Sequence, residues 1–213
     1  MAPSPFPVHS ELPGWELAWA HLEVLPGGEE ALAALRLRVA ERARAALDLG
    51  TLGSHPTVAA LRRLFKAAGC DPSRYRPSSE ALLRRVLKGE ALPAIHPLVD
   101  LNNALSIALA VPSCVMAEGT ITPPLVLRAG RAGEAFDSLR GPFPLAGKPL
   151  LADTLGPFGT PITDSQRVKV QPETRAAWLV AYLPQGDMDP EAALSRLAEL
   201  AAEAQAVRVE RGG

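Results

Sequence analysis

The sequence predicts an α+β fold in which helices pack on a mixed β-sheet core. After a single strand pattern, apolar residues recur at helical spacing through most of the first half of the chain. Short apolar runs separated by Pro and Gly dominate residues 111–183, and one more helical pattern follows them. Helices and strands that are grouped rather than alternating are typical of α+β proteins. We expect a single domain over residues 1–213.

The individual elements follow from local patterns. Residues 15–24 are apolar on both alternating faces and lie between Pro-Gly turns, which predicts a buried strand. Helices are predicted over residues 29–49, 56–68 and 78–88 and from residue 97 onward. The hydroxyl of Ser78 is expected to cap the third of them. Later runs predict strands at 111–117, 125–129, 150–153, 168–170 and 177–183, and Asp189-Pro190 predicts the start of a last helix.

Composition excludes several classes of protein. With 213 residues and 47% hydrophobic content, the chain can bury a substantial core and does not resemble a disordered protein. A net charge of −1 argues against nucleic-acid binding through bulk electrostatics. Cys70 and Cys114 fit neither a disulfide framework nor a metal clip, and no metal, Walker or nucleophile-elbow motif occurs. We therefore expect no cofactor and no membrane segment, and a cytoplasmic location.

One stretch of the chain is locally basic, although the net charge of the whole chain is close to zero. Between residues 62 and 88 only Asp71 and Glu80 oppose eight cations. Such a run is more often a solvated helix face than a nucleic-acid site, and both interpretations stay open. As an RNA-binding surface it would consist of Arg62, Arg63, Lys66, Arg74, Arg76, Arg84, Arg85 and Lys88.

Polar residues also occupy positions where a site could form. On the helix that begins at Pro97, Asp100, Asn103 and Ser106 repeat at helical spacing beside an apolar stripe. They form either a solvated face or a polar wall of a cleft. Strand ends carry further polar side chains, each of which could simply cap a turn: Arg128, Glu134, Asp153, Thr163, Asp164, Ser165 and Thr174.

A family resemblance rests on the segment RYRPSSEALLRRVLKGEALPAIHPLVDLNNALSIALAVP and on later landmarks. It resembles stand-alone B3/B4-domain proteins, which are similar to the tRNA-editing domain of the phenylalanyl-tRNA synthetase β chain. The resemblance extends from about Trp15 to Tyr182, with a strand and helix added at the N-terminal end. It matches Asn103, the string from Arg128 to Glu134, Ala152-Asp153 and Glu173-Thr174 to positions of that domain.

The chain also departs from the family at two positions. Cys114 stands where the synthetase domain has a histidine, and Val180 stands where a glutamate holds a tyrosine hydroxyl. A site that reads a hydroxyl through hydrogen bonds loses most of its discrimination without them. If both residues line the pocket, it should prefer a small or aliphatic amino acid over tyrosine.

The resemblance implies a tRNA-binding protein that hydrolyses mischarged aminoacyl-tRNA in trans, with tRNA and its amino acid moiety as partners. The residues alone leave two alternatives open, a non-catalytic module that binds RNA or an amino acid, and a structural domain. No catalytic residue can be assigned. The expected substrate-binding residues are Asn103, Cys114, Arg128, Glu134, Asp153, Thr163, Asp164, Ser165, Thr174 and Val180.

Overall fold

A computed structural model describes residues 5–211 of the chain. The helices are α1 (Glu29–Ala46), α2 (Pro56–Ala67), α3 (Ser78–Leu87), α4 (Pro97–Leu109) and α5 (Pro190–Ala204). The strands are β1 (Val8–Ser10), β2 (Trp15–Val24), β3 (Ser113–Ala117), β4 (Leu125–Ala129), β5 (Ala135–Ser138), β6 (Gly141–Pro144), β7 (Pro149–Asp153), β8 (Gly156–Gly159), β9 (Ala176–Pro184) and β10 (Val207–Arg211). The α+β class predicted from the sequence is confirmed.

Two four-stranded sheets and one hairpin make up the β structure. One sheet has the order β10-β2-β9-β3 and is antiparallel throughout, and the other has the order β1-β4-β7-β8 with β1 parallel to β4. Strands β5 and β6 pair with each other as a hairpin, and an isolated bridge joins Ser138 of β5 to Ser165. No helix between residues 5 and 211 is both long and apolar enough to cross a membrane.

Alternation along β2 explains how the layers are arranged. Ala18, Ala20 and Leu22 point to one face and are buried against the helices. Trp15 and Trp19 point to the other face and are buried against the second sheet. The sheet that contains β2 is therefore covered by helices on one side, and by the second sheet together with Leu61 and Phe65 of α2 on the other.

Two local predictions are wrong. Residues 168–170 do not form a strand, because the chain makes a turn of 3₁₀ helix at Gln166–Val168 that buries Val168 and directs Arg167 to Asp153. Ser78 does not cap α3: the N-cap is the extended Pro77, and the Ser78 hydroxyl has no hydrogen-bond partner. The Asp189 cap of α5 is present, since its carboxylate accepts from the N–H of Glu191.

Candidate functional site

A cavity of about 230 Å³ lies where α3, α4, β3, the β5–β6 hairpin and the loop after β8 meet. It is smaller than the roughly 300–1,000 Å³ of pockets that hold drug-sized ligands, and so it suits an amino-acid-sized group. Its lining residues are Ser78, Ile95, Val99, Asn102, Asn103, Ser113, Val115, Leu139, Thr163, Asp164, Ser165, Lys169 and Val170.

Buried polar atoms without a hydrogen-bond partner concentrate in this cavity. Among the described residues seven such side-chain atoms occur, and four of them belong to its lining: Ser78 Oγ, Asn102 Oδ1, Asp164 Oδ1 and Ser165 Oγ. Asn102 is 7% exposed and Ser165 is 4% exposed. Because buried polar groups are nearly always hydrogen-bonded, unpartnered atoms gathered in one cavity indicate a place that a ligand or ordered water completes.

Neighbouring backbone holds these side chains in place. Helix α4 carries Asn102, and the main-chain carbonyl of Asn102 accepts from Ser113 Oγ of β3 at 3.2 Å. The loop after β8 is a tight turn in which Thr160 Oγ1 accepts from the N–H of Thr163 at 2.9 Å. Ser165 is fixed by its N–H, which donates to Phe158 O at 2.9 Å. The polar atoms therefore lie on rigid elements rather than on a free loop.

The N-terminus of α3 also reaches the cavity. The N–H of Ser78 donates to Pro161 O at 2.9 Å, and no side chain caps the helix. The first N–H groups of a helix have no intrahelical partner and carry a partial positive charge. An electron-rich oxygen of a ligand placed here would be stabilised by those groups.

The rest of the cavity wall is apolar, formed by Ile95, Val99, Val115, Leu139 and Val170. Ile95 is 61% exposed and Leu139 is 56% exposed, which makes them two of the four large hydrophobic residues left exposed in the described chain. The cavity thus has a polar side and an apolar side, and two of its apolar residues are accessible from solvent. This division suits a ligand with a polar group and an aliphatic one.

The side chains of Cys114, Asp164 and Tyr182 interact with one another where the cavity meets the core between the two sheets. Burial raises the pKa of Asp164 to about 7, although hydrogen bonding with the Cys114 thiol acts in the opposite direction. Burial also raises the pKa values of Cys114 and Tyr182 well above their ordinary values. Cys114 is therefore a neutral thiol, which donates to Thr160 O at 3.2 Å.

Gly159 is the point of close approach for two of the unpartnered oxygens. A Cβ atom at this position would lie 3.3 Å from Asp164 Oδ1 and 3.5 Å from Tyr182 Oη. A side chain at position 159 would therefore crowd Asp164 and lie in van der Waals contact with the Tyr182 hydroxyl.

Four of the predicted substrate-binding residues lie together on this cavity, namely Asn103, Thr163, Asp164 and Ser165. Cys114 and Val180 do not line it. They are register partners on β3 and β9, and both are buried in the core between the sheets. An argument for specificity that places them on the cavity wall therefore does not hold.

The other predicted residues stabilise turns elsewhere. Arg128 makes a bidentate ion pair with Glu134, with N–O distances of 2.7 and 2.8 Å, and these hydrogen bonds help to lower the pKa of Glu134 to about 2. Asp153 accepts hydrogen bonds from Arg167 and from the N–H groups of Thr122 and Leu155. The hydroxyl of Thr174 accepts from the N–H of Gln171.

The polar face predicted on α4 is divided among three environments. Asp100 accepts from Arg36 at 2.6 Å and from the main chain ahead of the helix. Ser106 is hydrogen-bonded to Ser113 at 2.7 Å. Asn103 lines the cavity, and its neighbour Asn102 reaches it too. Sequence reasoning missed Asn102 and Ser78, although Asn102 occurs in the same Asn-Asn pair as Asn103.

The basic residues of α2, α3 and the segment between them fall into two groups. Arg62 and Arg84 both bind Glu80, which is fully buried, at 2.6 and 2.8 Å. Burial alone would raise the pKa of Glu80, but these two arginines hold it below its ordinary value. Arg85 pairs with Glu90. The exposed cations outside these pairs are Arg63, Lys66, Arg74, Arg76 and Lys88.

One group of side chains in the described residues has metal-ligand geometry. Ligand atoms of His21, Glu23 and Glu210 lie within 4.8 Å of one another on β2 and β10, and Glu118 is 2.9 Å from His21 Nε2. Arg208 already forms ion pairs with both Glu23 and Glu210. This group is not part of the cavity lining.

Comparisons with known proteins agree with this architecture. An N-terminal fragment of the phenylalanyl-tRNA synthetase β-subunit from Pyrococcus horikoshii has a similar structure, with a TM-score of 0.50 and 15% sequence identity. The match covers 98% of the present chain and 51% of that fragment, and at this identity it concerns the fold alone. No curated protein matches the sequence significantly. The family model of the B3/4 domain matches residues 60–206, which is more than half of the chain, and the protein therefore belongs to the B3/4 domain family.

Proposed function

We propose that this protein is an aminoacyl-tRNA deacylase that acts in trans, hydrolysing the ester between a wrongly attached amino acid and the terminal adenosine of a tRNA. The observation that carries the proposal is the cavity itself. It has the size of an amino acid, and it gathers four buried polar atoms without partners. Membership of the B3/4 domain family supports the choice of substrate class.

Hydrolysis requires little catalytic assistance from the protein, because an aminoacyl ester is already activated toward attack by water. Water would attack the ester carbonyl carbon, the carbonyl oxygen would gain negative charge, and the bond to the ribose oxygen would break. The products are a free amino acid and a tRNA with its terminal hydroxyl restored. The hydroxyls of Ser78 and Ser165, which have no partner within the chain, are suited to position the water.

A covalent route through Cys114 does not fit the geometry. The nucleophilic form of cysteine is the thiolate, and burial keeps the pKa of Cys114 far above neutral. The Cys114 side chain also does not line the cavity, and its Sγ donates a hydrogen bond to Thr160 O. We therefore assign attack to water rather than to this thiol.

The tRNA would approach along the segment between α2 and α3, which ends at the cavity. Arg74 and Arg76 are exposed in this segment, and Ser78, two residues further on, lines the cavity. Arg63, Lys66 and Lys88 add exposed positive charge on the two flanking helices. Phosphate contacts by such residues would make binding depend on salt concentration.

A second candidate is a module that binds an amino acid or the acceptor end of tRNA without hydrolysing the ester. The described lining of the cavity favours it, because that lining includes no histidine or glutamate that could act as a general base. Its substrate would occupy the same cavity, so one set of measurements separates the two candidates.

The decisive experiment incubates the protein with a panel of mischarged tRNAs and follows loss of the ester. We expect accelerated loss for at least one aminoacyl group, and a decrease of tenfold or more in the variants Asn102→Ala and Ser165→Ala. The variant Arg128→Ala serves as control, since Arg128 pairs with Glu134 away from the cavity. Saturable binding of aminoacyl-tRNA without ester loss would reject the deacylase and favour the binding module.

A further inference from the structure

Asp164 is half-buried, and it lacks the basic partner that the fully buried acids of the described chain have. Glu80 binds Arg62 and Arg84, Asp100 binds Arg36, and Asp153 binds Arg167. Between residues 5 and 211 these ion pairs have no counterpart at Asp164, and the side chain that acts on its carboxyl is the neutral Cys114 thiol. A buried carboxylate is costly unless it is paired, so this one is suited to a cation supplied from outside.

The unpartnered atoms around it are mainly acceptors. A carboxylate oxygen and an amide oxygen can only accept, and a serine hydroxyl can accept as well as donate. Asn102 Oδ1 and Ser165 Oγ are therefore two unpartnered acceptors on side chains that line the cavity. The carboxylate of Asp164, whose Oδ1 lies toward Gly159, is a third acceptor group in the lining. An ammonium group has three N–H donors and no acceptor, which makes it the complementary partner.

We propose that this cavity recognises the free α-ammonium group of its ligand through Asp164, Asn102 and Ser165. Where the ligand is an aminoacyl-tRNA, this inference rests on the function proposed above. An aminoacyl-tRNA carries a free α-ammonium group beside the ester bond to be cleaved. The ligand's aliphatic side chain would then lie against the apolar wall of Val99, Val115 and Val170. The ester would point toward the start of α3 at Ser78.

The consequence is discrimination between free and blocked amines. Acylation of the α-amino group removes its positive charge and two of its three donors, and it adds a carbonyl oxygen that would face acceptors. Lys169 is the one basic residue in the cavity lining. Its side chain is exposed and does not supply the donors that a blocked amine lacks. A blocked aminoacyl group should therefore bind much more weakly than a free one.

Binding can be tested without any hydrolysis, by NMR titration of the full chain with valinamide and with N-acetylvalinamide. We expect valinamide to bind at least tenfold more tightly, and Asp164→Asn to remove most of this difference while it leaves N-acetylvalinamide unaffected. The exposed Asp137 supplies a matched control, since Asp137→Asn makes the same change of charge outside the cavity lining. Equal affinities for the two amides, or an unchanged preference in Asp164→Asn, would overturn the inference.

A parallel hydrolysis assay separates failure of this inference from failure of the proposed function. It compares valyl-tRNA with N-acetylvalyl-tRNA, and free valine competes in a third arm. Preferential loss of the free ester supports both proposals. Equal loss of both esters retains the deacylase and rejects amine recognition, whereas no ester loss combined with preferential valinamide binding rejects the deacylase and retains amine recognition. Ser165→Ala provides a second variant in which the carboxylate is unchanged, and we expect at least a threefold loss of valinamide affinity there.

Discussion

Asp164→Asn should make the protein more stable, but only above acidic pH. Burial raises the pKa of this carboxyl from 3.8 to about 7 in the folded protein. The folded state therefore holds a proton that the unfolded chain releases between about pH 4 and pH 7. The state that binds more protons is favoured at low pH, so the free energy of unfolding falls as pH rises through this window. Asparagine keeps the shape of the side chain and removes the titration.

The size of the effect follows from the shift in pKa. A difference of about 3 units corresponds to about 4 kcal/mol at a pH above both values. Water entering the cavity would reduce the cost of the ionised form, so this figure is an upper value. We expect the variant and the natural protein to be equally stable near pH 4, and the variant to be more stable by about 2–4 kcal/mol at pH 8.

Urea unfolding of both proteins at intervals from pH 4 to pH 8 measures this difference directly. Other titrating groups are common to the two proteins and cancel in the comparison. Asp137→Asn is the matched control, because Asp137 is exposed on the β5–β6 hairpin. If the two stability profiles ran parallel over this range, the Asp164 carboxyl would not be the buried, unpaired group that the cavity geometry indicates.

Three further outcomes follow from the contacts. Arg128→Ala should lower the free energy of unfolding by about 1–3 kcal/mol, measured by urea unfolding, while the rate of ester hydrolysis stays unchanged. Glu80→Ala should cost about 3 kcal/mol in the same assay, because two arginines lose their partner at a fully buried position. Valyl-tRNA should be hydrolysed faster than tyrosyl-tRNA, since an apolar wall leaves a phenol hydroxyl unpartnered at a cost of ~1–3 kcal/mol. Faster loss of the tyrosyl ester would contradict this last expectation.

Local patterns were sufficient for the elements that carry strong signals of their own. The strand at Trp15–Val24 and the helices begun by Pro56, Pro97 and Pro190 have the starts that their turns and caps predict. Strand β10 was missed, although its apolar and charged residues alternate, because a run of five residues is too short to identify alone and is specified by pairing with β2 at the other end of the chain. The run at 168–170 was misjudged for the opposite reason: three residues of strand composition are bent by the contact of Arg167 with Asp153.

The site could be predicted only in part, because it depends on which loop covers which helix. Asn103 was identified from its spacing on α4, and Asp164 and Ser165 from their position between strands. Nothing in the spacing distinguishes those residues from Arg128 or Asp153, which have the same chemistry and lie at similar strand ends. The difference is that Arg128 has Glu134 and Asp153 has Arg167, and such pairing is decided by tertiary contacts.

Four of the seven unpartnered buried polar atoms of the described chain belong to residues that line the cavity, and this is the strongest physical reason to regard it as functional. Elsewhere in the described chain the buried acids Glu80, Asp100 and Asp153 have arginine partners. Around the cavity an acid has no basic partner, and Asn102 and Ser165 leave buried oxygens unpartnered. Each of these costs stability unless something outside the chain compensates. A structural domain without a ligand would gain from replacing these groups, whereas a binding site requires them.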